Sequence, residues 1–429
     1  MSILKFFSKA ACGAGLVGLM LAWNSAAAGQ ESLTWEQAKA KFEAANPALK
    51  ADALNVDEMR AEEITAFLRP NPQVGLTIDG NQIAPHDGTW APFKGTYFVP
   101  SVSYLHEREH KRELRLESAQ EGTRITQDMH DDLDINMIFD LRSAFVATLE
   151  AKAVLKLAQA DLEYWDKIID ISRARFKSGD LAQIDLDRIE LQRVQYESEI
   201  ETAIVNLRTQ KIILLQLLDE RTPLDQFDVV GPFDFSEELK TRDEFRNIAL
   251  TNRPDLQAAL QTLEQSKTNH KLAEANGSTD PTYSLWYTEN SSNNNPNGIQ
   301  TLGGSVNIPL RVFDRNQGEK KRTLIDIDRS QELEDATRAQ VFTDVDSAYE
   351  LVNSNIILLK PYKEKYLDQS VRVRDTVTFA YEHGGASLMD FLNAQSDYRQ
   401  VQLAYLQLIG AYLTAAGQLN LAVGQEVIQ

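Results

Sequence analysis

The segment His106-Glu107-Arg108-Glu109-His110 matches H-E-x-x-H. On a helix this spacing sets two imidazoles on one face to hold zinc and supplies a glutamate as base. Its setting opposes that chemistry. It falls where an alternating apolar pattern becomes a helical one, and Lys111, Arg112 and Glu113 leave no apolar face to bury a zinc helix. The remaining histidines, at 86, 130, 270 and 383, form no cluster with it. A zinc hydrolase is therefore a remote alternative, and no catalytic residue, metal site or cofactor is assigned. The only cysteine, Cys12, lies near the amino terminus, so no thiolate site is expected beyond it. A second group offers charge rather than catalysis: Asp185 and Asp390 each follow a glycine, Gly179 and Gly384, by six residues.

Those aspartates sit in matching decapeptides. Phe176 to Asp185 reads Phe-Lys-Ser-Gly-Asp-Leu-Ala-Gln-Ile-Asp and Tyr381 to Asp390 reads Tyr-Glu-His-Gly-Gly-Ala-Ser-Leu-Met-Asp, an offset of 205. Earlier in each half, Thr34 with Gln37 and Thr241 with Glu244 read as capping boxes, each followed by a proline, Pro47 or Pro254, at an offset of 207. The chain is thus two tandem copies of one unit. The boundaries expected are 29–218 for the first, an acidic linker at 219–240 and 241–429 for the second.

Long helices must carry these turns. No proline occurs between Pro100 and Pro223 and no glycine between Gly122 and Gly179, 56 residues that would span roughly 84 Å as one helix. A second such stretch runs from Gly318 to Gly384, interrupted only by Pro361. Apolar residues recur every seven: Leu141, Leu155, Leu162, Ile169 and Phe176 on the way to the first glycine turn, with Ala144, Ala151, Ala158 and Trp165 beside them. Leu186, Ile200, Leu207 and Leu214 continue beyond that turn, and Phe391, Tyr398, Tyr405, Tyr412 and Leu419 do so beyond the second. A sustained heptad period means supercoiled helical seams.

Each copy interrupts this pattern once with alternation of period two. Strands are expected at about 72–80 and 97–106, and again at about 281–289 and 300–310, each near the length a tilted strand needs to cross a bilayer. Four strands cannot close a barrel, and open edges are not tolerated in lipid, so membrane strands would require several chains to share one barrel.

Of the 429 residues, 63 are acidic and 44 basic, a formal charge of −19, which is the wrong sign for a nucleic-acid binder. Residues 1–28 read as a cleaved export signal: Lys5 and Lys9, an apolar run from Ala10 to Ala22, then Ala26-Ala27-Ala28. No later segment approaches 18 consecutive apolar residues.

The duplicated layout of helix, hairpin and long helix, the Asn46-Pro47-Ala48-Leu49 element, the hairpins opening at Pro72 and Pro281 and the paired glycine-to-aspartate turns resemble the TolC-type outer-membrane efflux proteins. The resemblance covers residues 32 to 424. It implies a fold of mixed α and transmembrane β, with a long α-helical coiled-coil tunnel and a four-stranded contribution to a 12-stranded trimeric β-barrel. It implies an efflux channel in the Gram-negative outer membrane that extends into the periplasm and acts as a passive exit duct. Its partners would be two further copies, a periplasmic adaptor, an inner-membrane pump, for instance of the RND type, and outer-membrane lipid.

On that fold, residues 80–96 and 289–300 face the exterior, and the linker joins a belt around the tunnel. Gly179, Gly384 and Gly385 form the tip turns that meet the adaptor. Asp390, Asp185 and Tyr381 line the periplasmic aperture, where three copies of Asp390 would form a negative ring that favours cations. The competing reading of the aspartates is helix capping. The chain departs from the family in having Asn393 where a second aspartate is frequent, and Ala386 where a gating arginine stands in the best-known member. Overall similarity leans towards the metal-efflux branch. A periplasmic coiled coil without a pore is the competing class, but it leaves the duplicated hairpins without a purpose. A periplasmic adaptor is a third possibility, one expected to have a substantial β-rich region beside its hairpin, which this chain lacks.

Overall fold

The computed structural model describes residues 31–289 and 300–428. The proposed export signal and most of the second outer loop lie outside them.

The same run of elements occurs twice. A strand and two helices open the chain: β1 (Glu31–Leu33), α1 (Trp35–Ala45) and α2 (Pro47–Phe67). The hairpin β2 (Gln73–Asp79) and β3 (Tyr97–Leu105) follows, then α3 (Lys111–Ser178) and α4 (Gln183–Leu217). The second run is β4 (Phe227–Val229), α5 (Arg242–Asn252), α6 (Pro254–Asn276), β5 (Thr282–Glu289) and β6 (Gln300–Asn307), then α7 (Gln317–Pro361), a π-helical turn (Tyr362–Tyr366), α8 (Leu367–Glu382) and α9 (Leu388–Val423).

Local chemistry fixes the starts. The Thr34 and Thr241 hydroxyls accept from the backbone N–H of Gln37 and Glu244, whose side chains accept from the two threonine N–H groups in return. Each capping box satisfies donors that the first helical turn leaves orphaned. Pro47 and Pro254 open α2 and α6, where the missing N–H costs nothing.

At 68 residues, α3 is about 100 Å long. It starts eleven residues before Gly122 and passes through it without a break. The glycine serves packing there: a Cβ would lie 3.0 Å from Nε2 of Gln265 and 3.2 Å from Cε of Met59. Two cores thicken the middle of the molecule. One joins Leu33, Trp35 and Phe42 to Phe145, Leu214 and Phe227, and the other joins Phe245 and Val345 to Tyr412 and Leu419. The parallel pair β1–β4 closes the first of them, Leu33 opposite Val229.

At one end the helices give way to a four-stranded sheet of order β2-β3-β5-β6, antiparallel throughout. Its register sorts the side chains. Val74 faces Val102, Val102 faces Leu285, and Ile78 faces Phe98, while Tyr283 lies opposite both Tyr104 and Val306. Directly opposed residues share a face, so one face is almost entirely apolar. The other carries Gln73, Thr77, Ser101, Ser103, Ser284, Thr288 and Ser305. The apolar face is bare: Val74 is 85% exposed and Leu302 79%. At the far end of the long helices, chain reversals at Gly179 and Gly384 close α3/α4 and α8/α9 into hairpins.

Candidate functional site: the sheet, the junction and the hairpin tips

The sheet has two unlike faces and two open edges. Among the described residues β2 and β6 pair on one side only. An exposed apolar face on an antiparallel sheet would aggregate in water, whereas it matches hydrocarbon. On the polar face Trp286 lies against Gly303, where a Cβ would come within 2.5 Å of the indole, so any side chain there would force the ring to move.

The junction with the helices holds the H-E-x-x-H residues. They lie between the end of β3 and the start of α3, with Glu109 and His110 in the left-handed region at φ 55° and 54°. No helical turn therefore stacks the two imidazoles. Glu107 is engaged by Arg115, whose guanidinium donates at 2.6 and 2.9 Å. Beside it Lys111, 3% exposed, ion-pairs with Asp280 at 2.6 Å, and Arg108 donates to the Thr279 carbonyl. The segment binds the first half of the chain to the second. Among the described residues no group of three or more His, Cys, Asp or Glu is placed to hold a metal.

The two tips share one backbone design. Gly179 has φ 84° and Gly384 φ 78°, values that a side chain disfavours. The Asp180 N–H donates to the Arg175 carbonyl and the Gly385 N–H to the Ala380 carbonyl, again 205 residues apart.

The side chains differ. Ser387 caps α9, and its hydroxyl and N–H both donate to Asp390, forming a third capping box. These hydrogen bonds hold the exposed Asp390 carboxyl below its ordinary range. The capping role weighed from the sequence is thus real for Asp390, while the carboxylate stays open to solvent. At the matching place Ala182 offers α4 no side-chain cap, and Asp185 lies half-buried in the first turn.

Tyr381 turns inward. It stacks on Phe391 at 4.8 Å, Arg175 lies over its ring, and its buried hydroxyl has no hydrogen-bond partner among the described residues. Burial raises its pKa; Arg175 opposes that push and the Asp185 charge adds to it.

Above the tips the hairpins meet through aromatic and polar contacts. Trp165 sits between Tyr196 at 5.1 Å and Phe391 at 5.8 Å and donates to the Ile189 carbonyl. Tyr164, Thr378 and Gln395 share hydrogen bonds, and Arg399 grips Glu199 at 2.8 and 2.9 Å. Asp161 lies in the same layer, where burial pushes its carboxyl up to about 6, Arg399 opposing. The sequence reading assigned no role to Arg175, Arg399, Thr378 or Gln395. The one available signal was Gln395, a polar residue four places beyond Phe391 on a seam.

Residues 246–425 match the family model for outer membrane efflux protein. The chain is 21% identical over 394 residues to the cobalt-zinc-cadmium resistance protein CzcC of Cupriavidus metallidurans, covering 92% of this chain and 90% of that one. Among solved structures, CusC superposes with a TM-score of 0.75 at 17% identity, covering 91% of this chain and 92% of that one. The open state of the MtrE outer-membrane channel of Neisseria gonorrhoeae superposes with a TM-score of 0.70 at 16% identity, covering 92% and 89%. The fold of the chain is therefore that of these outer-membrane channels, long helical hairpins joined to a four-stranded antiparallel sheet.

Proposed function

We propose that the protein is the outer-membrane channel component of an efflux system, through which substrates leave the cell passively. The observation that carries this reading is the sheet: a bare apolar face backed by a polar one, two open edges, and direct continuation into helices about 100 Å long. Open edges in lipid demand partners, so three copies would pair β6 of one with β2 of the next and close twelve strands into one barrel. Residues 29–218 and 241–429 then act as two copies of one unit around the linker 219–240, and each chain supplies a third of the wall. Residues 1–28 direct export. The tips at Gly179, Gly384 and Gly385 meet a periplasmic adaptor, which connects them to an inner-membrane pump.

Heat-modifiable trimers in the outer-membrane fraction that conduct in a planar bilayer are the expected result. A monomeric, non-conducting periplasmic protein would support the coiled-coil alternative instead. Similarity to CzcC supports cobalt, zinc and cadmium ions as substrates. A deletion strain should lose tolerance to these metals more than to dyes, detergents and antibiotics. In this reading Asp390 forms the aperture ring with Asp185 and Tyr381 behind it. Asp390→Ala should weaken block by divalent cations several-fold in single-channel recordings, while Ser387→Ala, which removes the cap and keeps the carboxylate, should leave block intact. Equal block in wild type and Asp390→Ala would remove Asp390 from the aperture.

A further inference from the structure

The connections between sheet and helices carry a charge opposite to that of the chain. Residues 66–72, 106–115, 276–281 and 308–322 hold ten Lys or Arg against six Asp or Glu, in a chain of net charge −19. Four of these cations are already paired: Lys111 with Asp280, Arg115 with Glu107, Arg112 with Glu113 and Arg322 with Glu319. Arg108 is taken up by the Thr279 carbonyl. Among the described residues Arg69, Arg311, Arg315, Lys320 and Lys321 have no ion pair. The half-buried Arg311 has no acceptor even for its enclosed Nε.

Apolar side chains stand bare among these cations. Phe67 and Leu68 are exposed at the end of α2, where Arg112 lies over the Phe67 ring at 4.4 Å. Leu310 and Val312 are exposed after β6, and Phe313 is 90% exposed. They extend the apolar face of the sheet: Leu302, Val306, Ile308 and Leu310 keep the same alternation past Asn307, the last paired residue of β6. The surface that matches hydrocarbon therefore ends where unpaired cations begin, the level at which phospholipid headgroups lie.

The two apolar groups stand at opposite edges of one chain. α2 packs on α3, α3 on α6 and α6 on α7, in the order of the strands β2-β3-β5-β6. Residues 67–69 therefore belong to one edge and residues 308–315 to the other. β2 leaves the junction at Gln73 and β6 returns to it at Asn307. A barrel closed by pairing β6 of one copy with β2 of the next sets these two edges side by side.

We propose that this seam binds an anionic glycerophospholipid of the periplasmic leaflet, its phosphate held by Arg311 and Arg315 of one copy and Arg69 of the next, its acyl chains lying on Phe313 and Phe67. The inference rests on the channel reading, which supplies the trimer. Arginine suits the phosphate because its planar fork offers two parallel donors.

For the test, the full-length trimer is purified, stripped of lipid in detergent and titrated with phosphatidylglycerol or with phosphatidylcholine, and bound lipid is counted by native mass spectrometry. One phosphatidylglycerol should bind at each seam, more tightly than phosphatidylcholine. Arg311→Gln with Arg315→Gln should lower phosphatidylglycerol affinity roughly 25-fold, about fivefold for each basic side chain. Arg311→Lys with Arg315→Lys should keep most of the preference, and Lys94→Gln in the outer loop should change nothing. If the glutamine pair falls apart into monomers, Arg69→Gln decides, with an expected loss of about fivefold. Equal affinity for the two lipids, or a preference unchanged in the glutamine variants, would overturn the site. Displacement of the lipid by inorganic phosphate would also overturn it, by revealing a free-anion site. A trimer that prefers phosphatidylglycerol but does not conduct would overturn the channel reading and leave the site standing; a conducting trimer without the preference would do the reverse.

Discussion

Between Lys111 and Ser178 the first half of the chain descends as a single helix, whereas the second half makes the same descent with α7, a π-helical turn and α8. Both then reverse through the same glycine turn with the same backbone bonds 205 residues apart. Their aromatic residues have separated in role: Phe176 is 38% exposed beside the first turn, while its counterpart Tyr381 is buried against Phe391. The backbone of the tip is therefore a fixed part, and the differences lie in what each hairpin offers the other. The first hairpin supplies a stiff wall with Trp165 and Arg175. The second docks on it through Phe391, Tyr381 and Gln395.

The sharpest way to break this division is Trp165→Ala. Trp165 is 1% exposed, and its loss removes both the stack between hairpins and the bond to Ile189. We expect a cost of about 3–5 kcal/mol in denaturant unfolding of the purified protein. A cost near that of an exposed site would mean that the hairpins do not depend on each other.

The matched pair of tip aromatics gives a smaller, more discriminating effect. Tyr381→Ala should cost about 2–3 kcal/mol and Phe176→Ala under about 1. Tyr381→Phe should stay within about 0.5 kcal/mol of wild type or gain slightly, because the buried hydroxyl has no partner to lose. Equal costs for the two alanine variants would erase the distinction between the tips.

The smallest effect concerns Asp161, whose carboxyl is raised by burial from 3.8 to about 6 in the fold. A raised carboxylate stabilises the folded state below the unfolded value, and that contribution is lost as pH rises through the folded one. Stability from this group should fall between about pH 4 and pH 6. Asp161→Asn should remove that slope and gain about 1 kcal/mol at pH 7 after solvent screening. Thermal unfolding across that pH range checks it, and a slope unchanged in the variant would show that Asp161 titrates normally.

What could be read from residues alone was local or periodic. The capping boxes at Thr34 and Thr241, the glycine reversals at 179 and 384 and the two-residue alternation in the hairpins depend on neighbours within a few positions. Gly122 looked like a helix limit because glycine is costly in a helix interior. Its role is set by Met59 and Gln265, on helices that no local pattern connects to it. Pro361 was visible as an interruption, but its outcome as a π-helical turn rather than a helix end was not, and the neighbours of that turn, Glu237 and Asp234 of the linker and Tyr405 of α9, lie far from it in sequence. The layer of Arg175, Thr378, Gln395 and Arg399 depends on how two hairpins align across a separation of some 200 residues, which heptads do not specify. Among the aperture candidates, spacing located Asp390 but could not show that Ser387 engages it or that Tyr381 faces inward.

The short strand Glu31–Leu33 has a consequence for the order of events. Its partner, Phe227–Val229, lies almost two hundred residues later, so among the described residues β1 has no strand to pair with until the first hairpin and both its long helices have been delivered. Closing so long a loop is entropically costly and slow compared with helix growth. The β1–β4 pair is therefore a late seam, sewn after the long helices stand, and in a chain truncated before residue 227 the segment Glu31–Leu33 would lack its only strand partner among the described residues.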